Sequence, residues 1–238
     1  MEPLRYQYQF RSADGASKQF VVILDPETLA YIPMTKPPYP EWTKLAHSSC
    51  PNCPLNRRRH AHCPAAVSAI DLVEAFKGAV SYEEAEVIVT APEREYRKRT
   101  SLQKGLAGLL GLCMVTSGCP VLAWLRPMAR FHLPFASIEE TEYRTVTMYL
   151  LGQYFRWKKG ARPRWDLKGL VEQYQIISEV NRHFVKRLRA AVREDAGLNA
   201  LIHLDNFAQA IPFAINKKAL AQLRQLFRPW LTDCGEFK

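Results

Sequence analysis

Hydrophobic and polar positions alternate from Tyr6 to Phe10, and a β-branched apolar run comes next, from Gln19 to Leu24. The Ala13-Asp14-Gly15 triplet between them carries turn chemistry, so the two runs predict a β-hairpin. Pro33 to Pro40 (PMTKPPYP) cannot be regular helix, because each proline removes an N–H and fixes φ. Residues 65–79 then place apolar side chains at helical spacing and predict a short helix. Glu86 to Ala91 reads as a third strand for the sheet begun by the hairpin.

From residue 100 onward the period is helical. Thr100 or Ser101 can cap a helix running through the glycine-rich stretch to Thr116. Ser137-Ile-Glu-Glu140 is a capping-box signature and opens a helix to about Arg156. Asp166 can cap a long helix in which Leu167, Leu170, Val171, Tyr174, Ile177, Val180, Phe184 and Leu188 recur at three- and four-residue steps. Two further helices are predicted, over 195–211 and over 217–227 after an Asn216 cap. There is no internal repeat. The fold class is α+β within one domain, 1–238: a small N-terminal antiparallel sheet with a metal-binding cysteine segment (1–99), then a mainly helical bundle (100–238).

Composition narrows the function classes. With 47% hydrophobic and 24% charged residues, a packed core is the expectation rather than disorder. The N-terminus, MEPLRYQYQFRSADG, has no apolar signal core, and the most apolar run, Leu106 to Leu125, is interrupted by glycines and Pro120. These features predict a cytoplasmic protein with no membrane attachment. Thiols stay reduced in that compartment, so six cysteines point to metal or redox chemistry rather than to disulfides.

A net charge of +10 invites a nucleic-acid reading. Basic clusters occur at Arg57-Arg58-Arg59, Arg97-Lys98-Arg99, Arg156 to Arg164 and Arg182 to Arg193, but they are dispersed and accompanied by Glu93, Glu95 and Glu194. No recognised nucleic-acid-binding motif accompanies them, so nucleic acid is a possible partner and not the favoured one.

The cysteines divide by the residue on their C-terminal side. Cys50, Cys53, Cys63 and Cys119 each precede a proline, whereas Cys113 and Cys234 precede Met and Gly. With 16 prolines in 238 residues, chance gives fewer than one Cys-Pro pair among six cysteines. Four thiolates suffice for a tetrahedral zinc or a [4Fe–4S] cluster. Proline beside a ligand directs the chain away from it, and bacterial ferredoxin runs likewise end in Cys-Pro. Structural zinc sites usually pair two knuckles, or one knuckle with two histidines. Here Cys50-x2-Cys53 is joined by single cysteines at 63 and 119, which suits a cuboidal cluster at least as well. Thiols with no metal remain a third reading.

His60 and His62 lie between candidate ligands and are the alternative zinc donors, although surface histidines beside arginines explain them more simply. Cys50-Pro-Asn-Cys53 also has the form of a thioredoxin-like motif, but it lacks the flanking strand and helix. Cys-Pro-x-Cys-Pro, His-Cys-Pro, Ser117-Gly-Cys-Pro120, Phe131-His-Leu-Pro-Phe135 and Glu-Glu-Thr-Glu-Tyr-Arg144 together resemble an uncharacterised bacterial protein family across most of the chain. That family has no assigned activity, so the resemblance implies no catalytic residues.

His132 is a candidate hydrogen-bond donor to a cluster sulfur or a proton donor, with a satisfied core histidine as the blander reading. Glu139, Glu140, Glu142 and Arg144 are explained by a helix start. Asp195 and Asn199, one turn apart, suggest a polar network without a role. No phosphate loop, dinucleotide fingerprint or nucleophile elbow is present, and no catalytic residue is assigned. The expectation is an iron–sulfur protein that transfers an electron or responds to oxygen. Arg57, Arg58 and Arg59 would offset cluster charge and dock an acidic protein or redox partner. The alternative is a binding protein with a structural zinc or cluster, whose basic surface meets nucleic acid or an anionic partner.

Overall fold

The computed structural model describes residues 2–192, 196–216 and 220–231. The chain divides into two compact units, Met1–Ala136 with Ile176–Asn206, and Ser137–Gln175 with Phe207–Lys238.

In the first unit the hairpin is β1 (Leu4–Ser12) and β2 (Ser17–Leu24), with Tyr8 opposite Phe20. Gly15 takes the positive φ of 87° that the turn requires. A third strand, β3 (Glu84–Thr90), pairs with β1, and a fourth, β4 (Glu95–Ser101), pairs with β3, giving an antiparallel sheet of order β2-β1-β3-β4. The sequence predicts only a basic cluster where β4 lies. The residues of β4 do not alternate between core and solvent, because it is an edge strand armed with charges: Arg97 reaches Glu86 and Glu95, and Arg99 reaches Glu84. Such charges block further strand pairing.

Tyr6, Tyr8 and Phe10 of β1 and Ala85, Val87 and Val89 of β3 turn inward. Against them lies α3 (Leu102–Thr116), as the approach of Gly105 to the sheet shows. A Cβ at Gly105 would stand 2.8 Å from Val87 Cγ2 and 2.9 Å from Phe10 Cε1. Alanine favours helix by about 1 kcal/mol, whereas overpacking costs about 1–3 kcal/mol. Gly105→Ala is therefore expected to lower stability by about 1–2 kcal/mol, measurable by urea unfolding.

The single helix predicted over 65–79 is two short ones, α1 (Pro64–Val67) and α2 (Ile70–Phe76). Ser68 interrupts them by donating its hydroxyl to the carbonyls of Ala65 and Cys113, a local bond that competes with the helical ladder. After α3 comes α4 (Arg126–Arg130), and the Phe131–Phe135 segment lies directly beyond it.

In the second unit, α5 (Ile138–Lys158) opens with the expected capping box. Glu140 N donates to Ser137 Oγ, and Ser137 N donates to the Glu140 carboxylate. The next helix, α6 (Lys168–Leu188), crosses from the second unit to the first. Its predicted stripe is buried at Leu170, Tyr174, Ile177, Val180, Phe184 and Leu188, and Asp166 accepts from Lys168 N at its start.

The helix predicted over 195–211 is α7 (Ala196–Asn216), which also crosses the unit boundary; Asp195 lies outside the described residues. Of the stretch predicted over 217–227, residues 217–219 lie outside the described residues, and the remainder is α8 (Leu220–Arg224) and a 3-10 turn, with α9 (Arg228–Leu231) after it. Among the described residues, no helix is long and apolar enough to cross a membrane.

Candidate metal centre

The cysteine segment is folded by a short pairing of its own two ends. Leu45 N donates to Ala61 O at 2.9 Å, and Cys63 N donates to Thr43 O at 2.8 Å. The intervening loop carries Cys50, Cys53 and the arginine run. Cys53 N donates to Cys50 O at 3.1 Å, closing a turn with Pro51 at its second position, where a fixed φ is favourable. The Asn52 amide ties this turn to helix α6 by donating to Ile176 O at 3.1 Å. Cys63 stands directly before α1, and Pro64 is the first residue of that helix.

Cys119 is separated from the other three in sequence, and Gly118 delivers it. Gly118 has φ of 94° after the end of α3, and a Cβ placed on it would lie 4.0 Å from Pro64 Cβ. A side chain there would be strained by that φ. Cys119 therefore emerges beside the start of α1. Its backbone N–H donates to Ser117 Oγ at 3.2 Å, and the N–H groups of Val121 and Leu122 favour its thiolate.

Cys50 and Cys119 both feel the charge of Cys53 and Cys63. Burial first, and then Cys63, Cys119 and Cys53, push the Cys50 thiol up to about 12. Burial also raises Cys119, opposed by the Leu122 and Val121 amides and assisted by Cys63 and Cys53. All five described cysteines are free thiols; Cys234 lies outside the described residues. As the side chains stand, no group of three or more His, Cys, Asp or Glu among the described residues is arranged to hold a metal ion.

The cation that interacts with these thiols is Arg187 of α6, which the sequence places in a basic run expected to be solvated. It is 2% exposed. Nη1 donates to the carbonyls of Trp42 and Lys44 at 2.6 and 2.7 Å, and Nη2 donates to Ser48 O at 2.5 Å. Burial lowers its pKa, and Cys63, Cys50 and Cys53 oppose that shift. A signal for it is present in the sequence: Arg187 stands three residues after Phe184 and seven after Val180, on the apolar stripe rather than opposite it. Two buried polar atoms of the same segment, Trp42 Nε1 and Asn52 Oδ1, have no hydrogen-bond partner among the described residues.

The remaining candidates lie elsewhere or have partners of their own. Arg57, Arg58, Arg59 and His60 are exposed, in a turn where Asn56 Oδ1 accepts from Arg58 N at 2.8 Å. His62 Nδ1 lies 2.7 Å from Thr43 Oγ1, and its ring meets Tyr39 edge-on at 5.3 Å. His132 Nε2 is hydrogen-bonded to the hydroxyl of the buried Tyr8, and its ring packs edge-on against Tyr6 at 5.6 Å. Cys113 is buried in α3, and burial pushes its thiol up to about 12, with Asp71 adding to the shift.

These shifts set a pH dependence for the metal-free protein. A thiol in the unfolded chain ionises near pH 8.5, well below the folded values of about 12 for Cys50 and Cys113. The unfolded state therefore loses its protons first as pH rises. The stability these thiols confer is complete below about pH 8.5 and is lost towards pH 12. Burial of Tyr8 acts in the same direction. Urea unfolding at stepped pH is expected to show this decline, with a shallower slope in Cys113→Ala. Any metal ligated by thiols would have the opposite sign, because ligation requires thiolates and weakens as pH falls.

A four-strand antiparallel sheet and a mostly helical remainder define an α+β protein, in which the buried Arg187 interacts with Cys50, Cys53 and Cys63. The chain belongs to the family described as a domain of unknown function, DUF6901, whose family model matches residues 4–228. No curated protein and no solved structure was found to match it.

Proposed function

We propose that Cys50, Cys53, Cys63 and Cys119 ligate a [4Fe–4S] cluster, and that the protein serves one-electron transfer or a response to oxygen. The observation that carries this reading is Arg187, a guanidinium held at 2% exposure by three backbone carbonyls, with Cys50, Cys53 and Cys63 as its charge partners. A buried cation is costly unless an anion answers it. Neutral thiols do not, whereas a thiolate-ligated cluster carries net negative charge.

The donor set fits. The Val121 and Leu122 amides favour a thiolate at Cys119, and hydrogen bonds to cluster sulfurs are among the protein's means of setting potential. Trp42 Nε1 is an unsatisfied donor on the segment that Arg187 holds, so a further acceptor there would remove a penalty of about 1–3 kcal/mol. When bound, such a cluster supplies reversible one-electron chemistry. With all four corners ligated by protein, no iron is left open for a substrate.

Arg187 would offset part of the cluster's charge and favour its reduced form. The exposed Arg57, Arg58 and Arg59 would offer an acidic redox partner a docking face. A four-sulfur set also suits zinc, which would make the centre a structural staple. Electron paramagnetic resonance of the anaerobically purified protein, titrated with reductant, separates the two. The iron–sulfur reading expects one paramagnetic species to appear in a single one-electron step. A protein that stays silent across the range open to such clusters, about −700 to +450 mV, would rule out the redox role.

A further inference from the structure

The last two turns of α5 and the segment after them, residues 151–165, carry a surface that the metal centre does not explain. Across 151–158 only Gln153 is buried, although Leu151, Tyr154, Phe155 and Trp157 lie among them. Phe155 and Trp157 are 56% and 54% exposed, and Trp165 is 53% exposed. The rings form a group: Tyr154 lies 5.8 Å from Phe155 and 5.9 Å from Trp157. The Lys158 ammonium sits 5.8 Å from the Tyr154 ring centre and 5.6 Å from that of Trp157.

The same fifteen residues, LGQYFRWKKGARPRW, hold five cations and no carboxylate. Arg164 is engaged by Glu172, at 2.8 Å through both nitrogens, and its backbone N–H is fixed by Gln153 Oε1 at 2.9 Å. That bond folds the 161–165 segment back along α5. Arg156, Lys158, Lys159 and Arg162 form no ion pair among the described residues.

We propose that this surface binds single-stranded nucleic acid without strong sequence preference. Bases would stack on Tyr154, Phe155 and Trp157, and the phosphates would lie along Arg156, Lys158, Lys159 and Arg162. Flat apolar faces interleaved with cations, with the nearby Glu172 carboxylate already engaged by Arg164, match a ligand that alternates planar rings with negative charge. A lipid surface matches less well. A helix lying in a membrane interface segregates its apolar and polar sides, whereas here Arg156 falls between Phe155 and Trp157 and the exposed residues run almost all round the helix. The inference does not rest on the metal reading, because none of these residues belongs to the cysteine segment.

The test uses the full-length protein and fluorescence anisotropy with labelled oligodeoxythymidine and oligouridine at two salt concentrations. Binding of either oligonucleotide, weakening as salt rises, is the expected result. Trp157→Ala is expected to weaken it about tenfold or more. A Lys158→Glu, Lys159→Glu double variant is expected to weaken binding and flatten its salt dependence. These positions are exposed, so unchanged circular dichroism and Tm are the fold control.

Three results would overturn the proposal. The first is no binding of either oligonucleotide. The second is binding that Trp157→Ala leaves unaltered, which would reduce the surface to general charge. The third is equal dependence on Trp157 for self-association, or for anionic vesicles, with the oligonucleotides inert.

Discussion

Arg187→Met is expected to cost about 3–5 kcal/mol of stability and to abolish metal retention. The carbonyls of Trp42, Lys44 and Ser48, the first buried and the other two partly so, would each lose a charged donor, and methionine offers none in return. Those carbonyls belong to the chain leading directly into Cys50, so the turn carrying Cys50 and Cys53 would keep only its Asn52–Ile176 tie to α6. The thiols would also lose the cation that interacts with them.

Arg187→Lys separates these roles. Lysine keeps the charge but cannot reach three carbonyls with a planar fork. It is expected to retain more metal than methionine while losing a substantial part of the stability. Urea unfolding with metal content on the same samples checks both variants. Equal metal content in wild type and Arg187→Met would remove the electrostatic role assigned to this residue.

The second large effect concerns the cysteines. Replacing any one of Cys50, Cys53, Cys63 or Cys119 by Ser is expected to release the metal and to lower Tm by several degrees or more. Structural metal binding contributes directly to folding, and here one ligand lies 56 residues beyond its nearest companion. Cys113→Ala is expected to cost about 1 kcal/mol from the small cavity and to leave the metal in place. Cys113 is buried in α3, where its carbonyl, not its sulfur, accepts the Ser68 hydroxyl. Metal analysis and thermal unfolding of the five variants read out the pattern. Equal losses in all five, or in none, would contradict the four-ligand assignment.

Much of the fold is legible in the sequence because its elements bury one face. The Tyr6–Phe10 alternation, the Glu86–Ala91 run and the α6 stripe each expose a period that only a core explains. The Ser137–Glu140 capping box is legible for a different reason, since it is satisfied entirely within four residues. β4 leaves no period because Glu95, Arg97 and Arg99 on one face are exposed, while on the other Tyr96 and Thr100 are only half-buried and Lys98 is exposed. The break at Ser68 depends on a carbonyl 45 residues away, which no local window contains.

The candidate site divides in the same way. Proline after cysteine marks out four thiols, but the means of bringing them near one another is tertiary. The pairing of 43–45 with 61–63 and the positive φ of Gly118 have no sequence period. Arg187 is obscured by its neighbours, since a basic run from Arg182 to Arg193 reads as solvated, and only its phase on the helix distinguishes it. His62 and His132 have polar partners of their own in Thr43 and Tyr8.

The most direct test is an absorption spectrum of protein purified without oxygen, with iron, zinc and acid-labile sulfide assayed on the same sample. The account predicts a broad band at the blue–violet edge with about four irons and four sulfides per chain. A colourless protein holding about one zinc and no sulfide would contradict it.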